Sequence, residues 1–369
     1  MNICVLGGGM QGRVAAFDLA RSGHLVTVLD IDRSNLRRLR GTPLIKTVRF
    51  DAGDRRSLVT FIKKHRYDAV LGALPAALGF GAMQCAIEAR CDMVDMSYLT
   101  EDPFLLNTKA RKQGVRIIPD AGFAPGLSNL IVGRAASEIK KIDRLRILVG
   151  GIPQDPRPPF NYRITWSPAD LIEEYLRPAR IVHDHRKVVI LALTGIEEFT
   201  VRGIGRLECF YTDGLRTLLK TLKSIRHMEE KTIRYPGHAA LFKTLIAGGF
   251  LGTKPLKNGP CGFRPKDLTV QVLRDVLSQG SERDISILII EIRSDRARRR
   301  YMCVDRYDRR RHMTSMTRMT AFSGSLFTQC FKQYPGCGVI PPEQLGQVAP
   351  IFEFIITRLA RRGIRIARS

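Results

Sequence analysis

The sequence predicts an α/β fold: a doubly wound parallel sheet at the N-terminus, followed by a second, α+β domain. Three observations carry that prediction. Short β-branched runs alternate with Arg-bearing amphipathic stretches over the first 126 residues, which is the pattern of successive βαβ units. A glycine turn, Gly7 to Gly12, lies between the first such run and the first amphipathic stretch. Beyond Gly126 the texture changes, and strand-like runs follow one another in a way that suits antiparallel pairing.

The elements follow in chain order. NICVLG is the first strand, MQGRVAAFDLARSG the helix that the glycine turn opens, LVTVLD the second strand, and RSNLRRLRG a short Arg-rich helix. Strands at TVRFDA, YDAVLGAL, CDMVDMS and VRIIPDA alternate with helices at RRSLVTFIKKH, AALGFGAMQCAIEAR and EDPFLLNTKARKQ. Six strands with their crossings complete a Rossmann sheet, which sets a first domain at residues 1–126. Residues 127–322 form the α+β domain, expected to bind substrate and to dimerise. It starts with a helix at 127–140, continues in strands RLRILVGGIP, VVILAL, LECFYT, ISILIIEIR and YMCVDRY, and turns a hairpin at 293–300. Its helices are DLIEEYL, LRTLLKTLK and HAALFKTLIAGG. Residues 323–369, with helices around 314–331 and at FEFIITRLARRG, are expected to return to the first domain.

A chain of 369 residues exceeds the span of one hydrophobic core, in keeping with two domains. Its 60 Lys and Arg against 35 Asp and Glu give a net charge of +25. The basic residues run along the whole chain, and the densest stretch, 293–311, also carries Asp295, Asp305 and Asp308. That pattern reads as a solvated, partly ion-paired surface, so no specific nucleic-acid partner is expected. The eight cysteines lack any C-x-x-C or Cys/His spacing, so no metal site is expected. With no basic leader before the first strand, a reducing, cytoplasmic setting is the expectation. The uncharged stretch from Ala69 to Ile87 is broken by Pro75 and glycines and reads as strand, turn and helix, not as a membrane span.

Gly7, Gly9 and Gly12 follow a strand and open a helix, the context in which G-x-G-x-x-G binds a dinucleotide. Gly7 permits the tight turn, Gly9 lets the backbone approach the pyrophosphate, and Gly12 lets helix and strand pack closely; Met10 and Gln11 supply first-turn amides. Asp30 ends the second strand at about the twenty-residue spacing of the acid that bonds the adenosine ribose. A carboxylate there favours NAD, while Arg33, Arg37 and Arg38 keep NADP open. Asp51, past the third strand, borders the adenine or is a plain turn carboxylate. Ala73, Leu74 and Pro75, past the fourth, border the ribose and nicotinamide.

Several long, ordered segments then carry a family resemblance: VLGGGMQGRVAAFDLA, VRIIPDAGFAPGLSN, LVGGIPQDPRPPFNYRITWSPADLIEEY, FYTDGLRTLLKT, KTIRYPGHAALFK and GVIPPEQLG. Over nearly its full length the chain resembles the saccharopine dehydrogenase-like oxidoreductases, within them most closely the L-lysine 6-dehydrogenase branch. The resemblance implies NAD(P)-linked oxidation at an amine-bearing carbon of a lysine-derived amino acid, or the reverse reduction. Saccharopine-forming members have an Asp where this chain has Ala124, and an RDS-type segment where it has Thr212-Asp213-Gly214. The lysine branch looks like this chain at the first position, which points away from saccharopine as substrate.

Hydride removal from such a carbon needs a neutral amine, hence a base, and partners for the substrate's carboxylate and remote ammonium. Asp120 ends the sixth strand and is expected either to meet the substrate ammonium or proton, or to cap the helix after Pro125. Ser97 and Tyr98 end the fifth strand and bond substrate or pack. Tyr162, Trp166, Asp213, Arg216, Arg234, Tyr235 and His238 lie in Gly- and Pro-shaped segments. Arg216 or Arg234 suits a carboxylate, and His238, if it titrates near neutrality, a proton shuttle; a structural histidine and core aromatics are the alternatives. The expected protein is a homodimer that deaminates lysine oxidatively. Saccharopine or carboxy-polyamine reduction, and a non-catalytic dinucleotide or polyanion binder, are the competing functions.

Overall fold

The computed structural model describes residues 1–165, 168–256 and 262–369; Trp166 and Cys261 lie outside the described residues. The chain forms two compact units, Met1–Lys140 with Thr317–Ile366, and Lys141–Met316 with Ala367–Ser369. The crossings thus fall after 140 and after 316, where the sequence placed them at 126 and 322. The helix Leu127–Glu138 belongs to the first unit because it packs backbone to backbone there. A Cβ on Gly133 would lie 1.9 Å from the Glu343 carbonyl oxygen, and one on Gly346 2.0 Å from that of Leu130.

The sheet of the first unit contains β1 (Asn2–Leu6), β2 (Leu25–Asp30), β3 (Ile45–Arg49), β4 (Ala69–Gly72), β5 (Met93–Asp95) and β6 (Arg116–Ile118). They lie in the order β3-β2-β1-β4-β5-β6, all parallel, and Gly338–Val339 adds a seventh parallel strand beside β6. This is the doubly wound arrangement expected from the alternation, with its switch point beside β1. Cys4, Leu6, Leu29, Val70, Met83 and Ile117 pack into one core beneath it. The returning C-terminal residues are tied down by charge. Arg362 forks onto Asp18 of helix Met10–Arg21 at 2.7 and 2.9 Å, and Ser325 donates to the same carboxylate at 2.6 Å.

The second unit is built on a mixed sheet of β7 (Ile142–Pro153), β8 (Ala179–His183), β9 (Arg186–Ile190), β10 (Glu197–Val201), β11 (Gly205–Tyr211), β12 (His227–Arg234), β13 (Asp284–Ser294) and β14 (Arg298–Arg306). The order is β10-β11-β12-β7-β13-β14, with Ala367–Arg368 beside β14 and β8 pairing with β12 and β9. Only β12 and β7 pair in parallel among these described strands. The 293–300 hairpin is present, with Ser294 N–H bonded to the Ala297 carbonyl at its tip. Other elements differ from the sequence reading. β8 and β9 form a hairpin whose corner residues, Asp184 and His185, both have positive φ (47° and 61°), as a two-residue primed turn requires. The LRTLLKTLK helix shrinks to Leu218–Thr221, and an amphipathic helix unforeseen in the sequence covers Pro265–Leu277. Among the described residues no helix is long and apolar enough to cross a membrane.

Candidate active site

The glycine turn divides into two glycines that the protein itself requires and one that it does not. Gly7 has φ +94°, and a Cβ there would lie 2.5 Å from the Ala73 carbonyl oxygen; one on Gly12 would lie 1.9 Å from that of Gly7. Gly9, the N-cap of helix Met10–Arg21, has no atom within 4 Å of its would-be Cβ and no side chain capping the helix. That open space, faced by uncapped amides, is a cradle of the kind a pyrophosphate fills. Met10 is exposed beside it, and Gln11 keeps a buried Oε1 without a hydrogen-bond partner among the described residues. A buried acceptor left over costs about 1–3 kcal/mol unless a donor arrives with a ligand. These residues therefore fit a nicotinamide dinucleotide.

Asp30 stands at the end of β2, where it braces the turn. Its Oδ2 accepts the Gly8 N–H at 2.6 Å and the Asn35 amide at 3.2 Å, and its Oδ1 the Asp32 N–H at 2.7 Å. Asp51 is exposed and accepts the Gly53 N–H at 2.8 Å, a local turn. Ala73, Leu74 and Pro75 connect β4 to helix Ala76–Glu88, and the Ala73 N–H bonds the Leu6 carbonyl at 2.8 Å, which lays this turn against the glycine loop. Beside Asp30, a cavity of about 460 Å³ is lined by Arg33, Arg37, Arg40 and Arg49 with Leu36 and Thr47.

Two carboxylates sit at the C-terminal ends of β5 and β6, the edge on which this fold places its chemistry. Asp95 is fully buried; its Oδ1 accepts the Ser97 N–H at 2.9 Å, and its Oδ2 lies 3.2 Å from the Ser97 hydroxyl. The same hydroxyl reaches the Leu74 carbonyl at 3.0 Å, so Ser97 links β5 to the cofactor-side turn. Burial pushes the Asp95 carboxyl up to about 7, with the charge of nearby Asp120 adding to the rise. Asp120 is 1% exposed at φ +53°, a strained conformation of the kind that collects at functional sites. It is not the cap of the following helix, whose N-cap is Gly126 with no side-chain bond. Tyr98 is half-buried next to Ser97.

In the second unit, β12 gathers Tyr162, Arg234 and His238 into one buried cluster, together with Tyr175, which the sequence reading passed over. Arg234 Nε donates to Tyr175 Oη at 3.0 Å, and its guanidinium carbon stands 4.6 Å over the Tyr162 ring. Tyr175 Oη lies 2.9 Å from His238 Nε2, and His238 Nδ1 lies 3.1 Å from the Phe160 carbonyl. A carbonyl only accepts, so Nδ1 carries the ring proton and Nε2 receives the tyrosine hydrogen. Burial, then the Arg234 charge, lowers His238 to about 3. The premise of a histidine titrating near neutrality therefore fails: the imidazole stays neutral and orients Tyr175 toward Arg234. His238 is itself fixed by Glu208 of β11, which accepts the Gly237 and Ala239 N–H groups at 2.8 and 2.7 Å.

Beneath Arg234 a second buried chain runs along the same face of β12. Glu230 contacts the Thr212 hydroxyl at 2.8 Å, Thr212 contacts Thr232 at 2.8 Å, and Thr232 contacts Glu174, which lies 3.5 Å from Arg234. Three contacts between hydroxyls and carboxyls need three hydrogens, and two threonines supply two. The third belongs to Glu230, whose carboxyl burial raises well above the ordinary range. Asp213 is buried and gripped by Arg180 through Nε at 2.9 Å and Nη2 at 2.7 Å. Arg216 is 6% exposed at φ +50°. Tyr235 donates to the Pro153 carbonyl at 2.9 Å. Of the residues that sequence reasoning missed, Asp95 was findable, since it ends a predicted strand on the ligand-binding edge. Glu174, Tyr175 and Glu230 gave no such signal, because their importance lies in partners distant in sequence.

Among the described residues no cysteine is in a disulfide, and all but half-buried Cys337 are buried; among the same residues no group of three or more His, Cys, Asp or Glu is placed to hold a metal.

Comparison with known proteins gives the family and the fold. The saccharopine dehydrogenase NADP binding domain matches residues 3–118, and the saccharopine dehydrogenase C-terminal domain residues 122–364. Saccharopine dehydrogenase (NADP(+), L-glutamate-forming) of Saccharomyces cerevisiae is 24% identical over 264 residues, covering 68% of this chain and 58% of its own length. The alpha-aminoadipic semialdehyde synthase of Arabidopsis thaliana is 28% identical over 142 residues, 37% of this chain and 13% of its own. The chain thus spans less than two thirds of these curated relatives. Apo saccharopine dehydrogenase (L-Glu forming) from Saccharomyces cerevisiae has the same fold, at a TM-score of 0.77 and 17% identity over 100% of this chain and 99% of that one. With both domain models matched along its length, the chain belongs to the saccharopine dehydrogenase family.

Proposed function

We propose that the chain is an NAD(P)-dependent oxidoreductase acting at the amine-bearing carbon of an amino acid. The observation that carries the reading is the pair of buried carboxyls, Asp95 and Asp120, ending adjacent strands beside the Ala73-Leu74-Pro75 turn. The dinucleotide, when bound at the glycine loop, supplies the hydride acceptor. Asp120 meets the substrate ammonium and takes its proton. Asp95, able to hold a proton near neutral pH, keeps Ser97 and the neighbouring turn in register. Arg216 and Arg234 are the candidate partners for substrate carboxylates.

Lysine, oxidised at its side-chain amine, is the first choice of substrate. Ala124 replaces the Asp of saccharopine-forming members, and Asp213 in the Thr212-Asp213-Gly214 segment is taken up by Arg180. Saccharopine is the second reading, favoured by the likeness to the yeast enzyme along the chain. Reduced-coenzyme formation is measured with lysine, saccharopine and a carboxy-polyamine in parallel. Turnover of saccharopine alone replaces the first reading with the second, and turnover of none with either coenzyme removes both. The coenzymes are separated by two variants. Asp30→Ala should weaken NAD relative to NADP, and Arg33→Ala with Arg37→Ala should weaken NADP alone if the arginine cavity takes the 2′-phosphate. The reading includes a cytoplasmic homodimer, checked by light scattering at twice the chain mass.

A further inference from the structure

One face of the second sheet carries two adjacent rows of charged residues, and they are built on opposite principles. In the first row Arg300, Glu291, Arg146 and Glu229 stand directly opposite one another across β14, β13, β7 and β12. The signs alternate, and ion pairs join them at 3.5 Å (Arg300–Glu291), 4.0 Å (Arg146–Glu291) and 2.9 Å (Arg146–Glu229). Two residues nearer the end of the same strands, on the same face, the row reads Arg298, Arg293, Arg144, His227. Like charges placed directly opposite destabilise a sheet. Among the described residues Arg298, Arg293 and Arg144 have neither a hydrogen bond nor an ion pair from their side chains.

Two members of this row, Arg293 and Arg298, line a cavity of about 610 Å³, with Asp143, Arg226, Ser294, Asp295, Arg296 and Ala297 completing the wall. Arg226 is held by Asp184 at 2.7 Å. Three inter-strand steps make the row about 14 Å long, enough for two or three phosphate groups. It stands apart from the Arg234 cluster of the same unit. His227 and Arg234 are the two ends of β12, about 23 Å apart at strand rise, and as odd and even positions they face opposite sides of the sheet.

We propose that the hairpin end of this sheet is a binding site for a compact oligophosphate, an inorganic polyphosphate or the phosphate chain of a nucleotide. Guanidinium groups match phosphate through paired N–H donors. Asp143 and Asp295 in the wall would repel a nucleic-acid backbone drawn across it, whereas a short phosphate chain can sit against the arginines alone.

The test is calorimetric titration with inorganic tripolyphosphate at about 150 mM salt, on protein saturated with reduced coenzyme so that the glycine loop is filled. Saturable binding at one site is expected, weakened at least about tenfold by Arg293→Gln with Arg298→Gln. Arg300→Gln with Arg306→Gln removes the same charge from the same hairpin and should change it less than about twofold. Absence of saturable binding to the unaltered protein overturns the proposal. So does an equal loss in both double variants, which marks general attraction to a +25 chain. Single-stranded DNA that binds more tightly than tripolyphosphate assigns the row to nucleic acid instead.

Discussion

Gly9 and Gly12 look alike in the sequence and differ in what holds them. An added methyl at Gly12 meets the Gly7 carbonyl at 1.9 Å, whereas at Gly9 it meets nothing. Gly12→Ala should therefore lower Tm, and Gly9→Ala should leave Tm unchanged while weakening coenzyme binding at least about tenfold. Thermal melting and coenzyme fluorescence check the pair together. Two buried groups give opposite pH dependences. Asp95, raised to about 7, holds a proton in the folded state that the unfolded chain loses near pH 4, so its contribution to stability falls as pH rises from about 4 to 7. At 1.36 kcal/mol per pH unit the total is about 4 kcal/mol. His238, lowered to about 3, stays neutral while the unfolded chain takes up a proton, so its contribution is lost as pH falls from about 6.5 to 3. The two slopes oppose each other between about pH 4 and 6.5. Urea unfolding should show Asp95→Asn gaining stability relative to the unaltered protein as pH rises, and His238→Gln gaining as pH falls. Parallel curves would remove these groups from the titration.

At the scale of elements, helix His238–Ala247 illustrates why the second half was harder to read. No side chain of its own sequence caps it; Glu208, on another strand, accepts its first amides. Glu208→Gln should cost roughly 1–2 kcal/mol and move His238, which near-ultraviolet circular dichroism reports through Tyr162 and Tyr175. β12 was unread for the same reason. HMEEKTIR has a helix former's composition, yet each of Glu230, Lys231 and Arg234 meets a partner brought from elsewhere in the chain, Lys231 pairing with Glu197 and the Gly195 carbonyl. In the first unit the local signals agree with one another, and the predicted helix RRSLVTFIKKH coincides with Arg55–His65. The glycine turn, with Asp30 and the turn after β4 laid against it, was likewise legible as a strand-to-helix connection, because glycines at fixed spacing mark such a tight turn. The burial of Asp95 and the Tyr175–Arg234 cluster were not, since burial and partner distance have no local spelling.

Over the whole molecule, the first unit is made of two sequence segments with the second unit's residues between them. Truncation after Met316 should therefore destabilise the coenzyme-binding unit itself, since it removes the strand Gly338–Val339 and the Arg362–Asp18 fork. Arg362→Ala alone should cost about 3 kcal/mol by leaving Asp18 with an unmatched, largely buried charge; denaturant melts of both proteins measure it. By itself the sequence determined the α/β class, the parallel nucleotide-binding sheet and the dinucleotide turn, because hydrophobic period and glycine spacing act over a few residues. The tertiary structure alone decided where the units divide, which carboxyls keep their protons, and that His238 is neutral. Those properties depend on desolvation and on charges that only folding brings together.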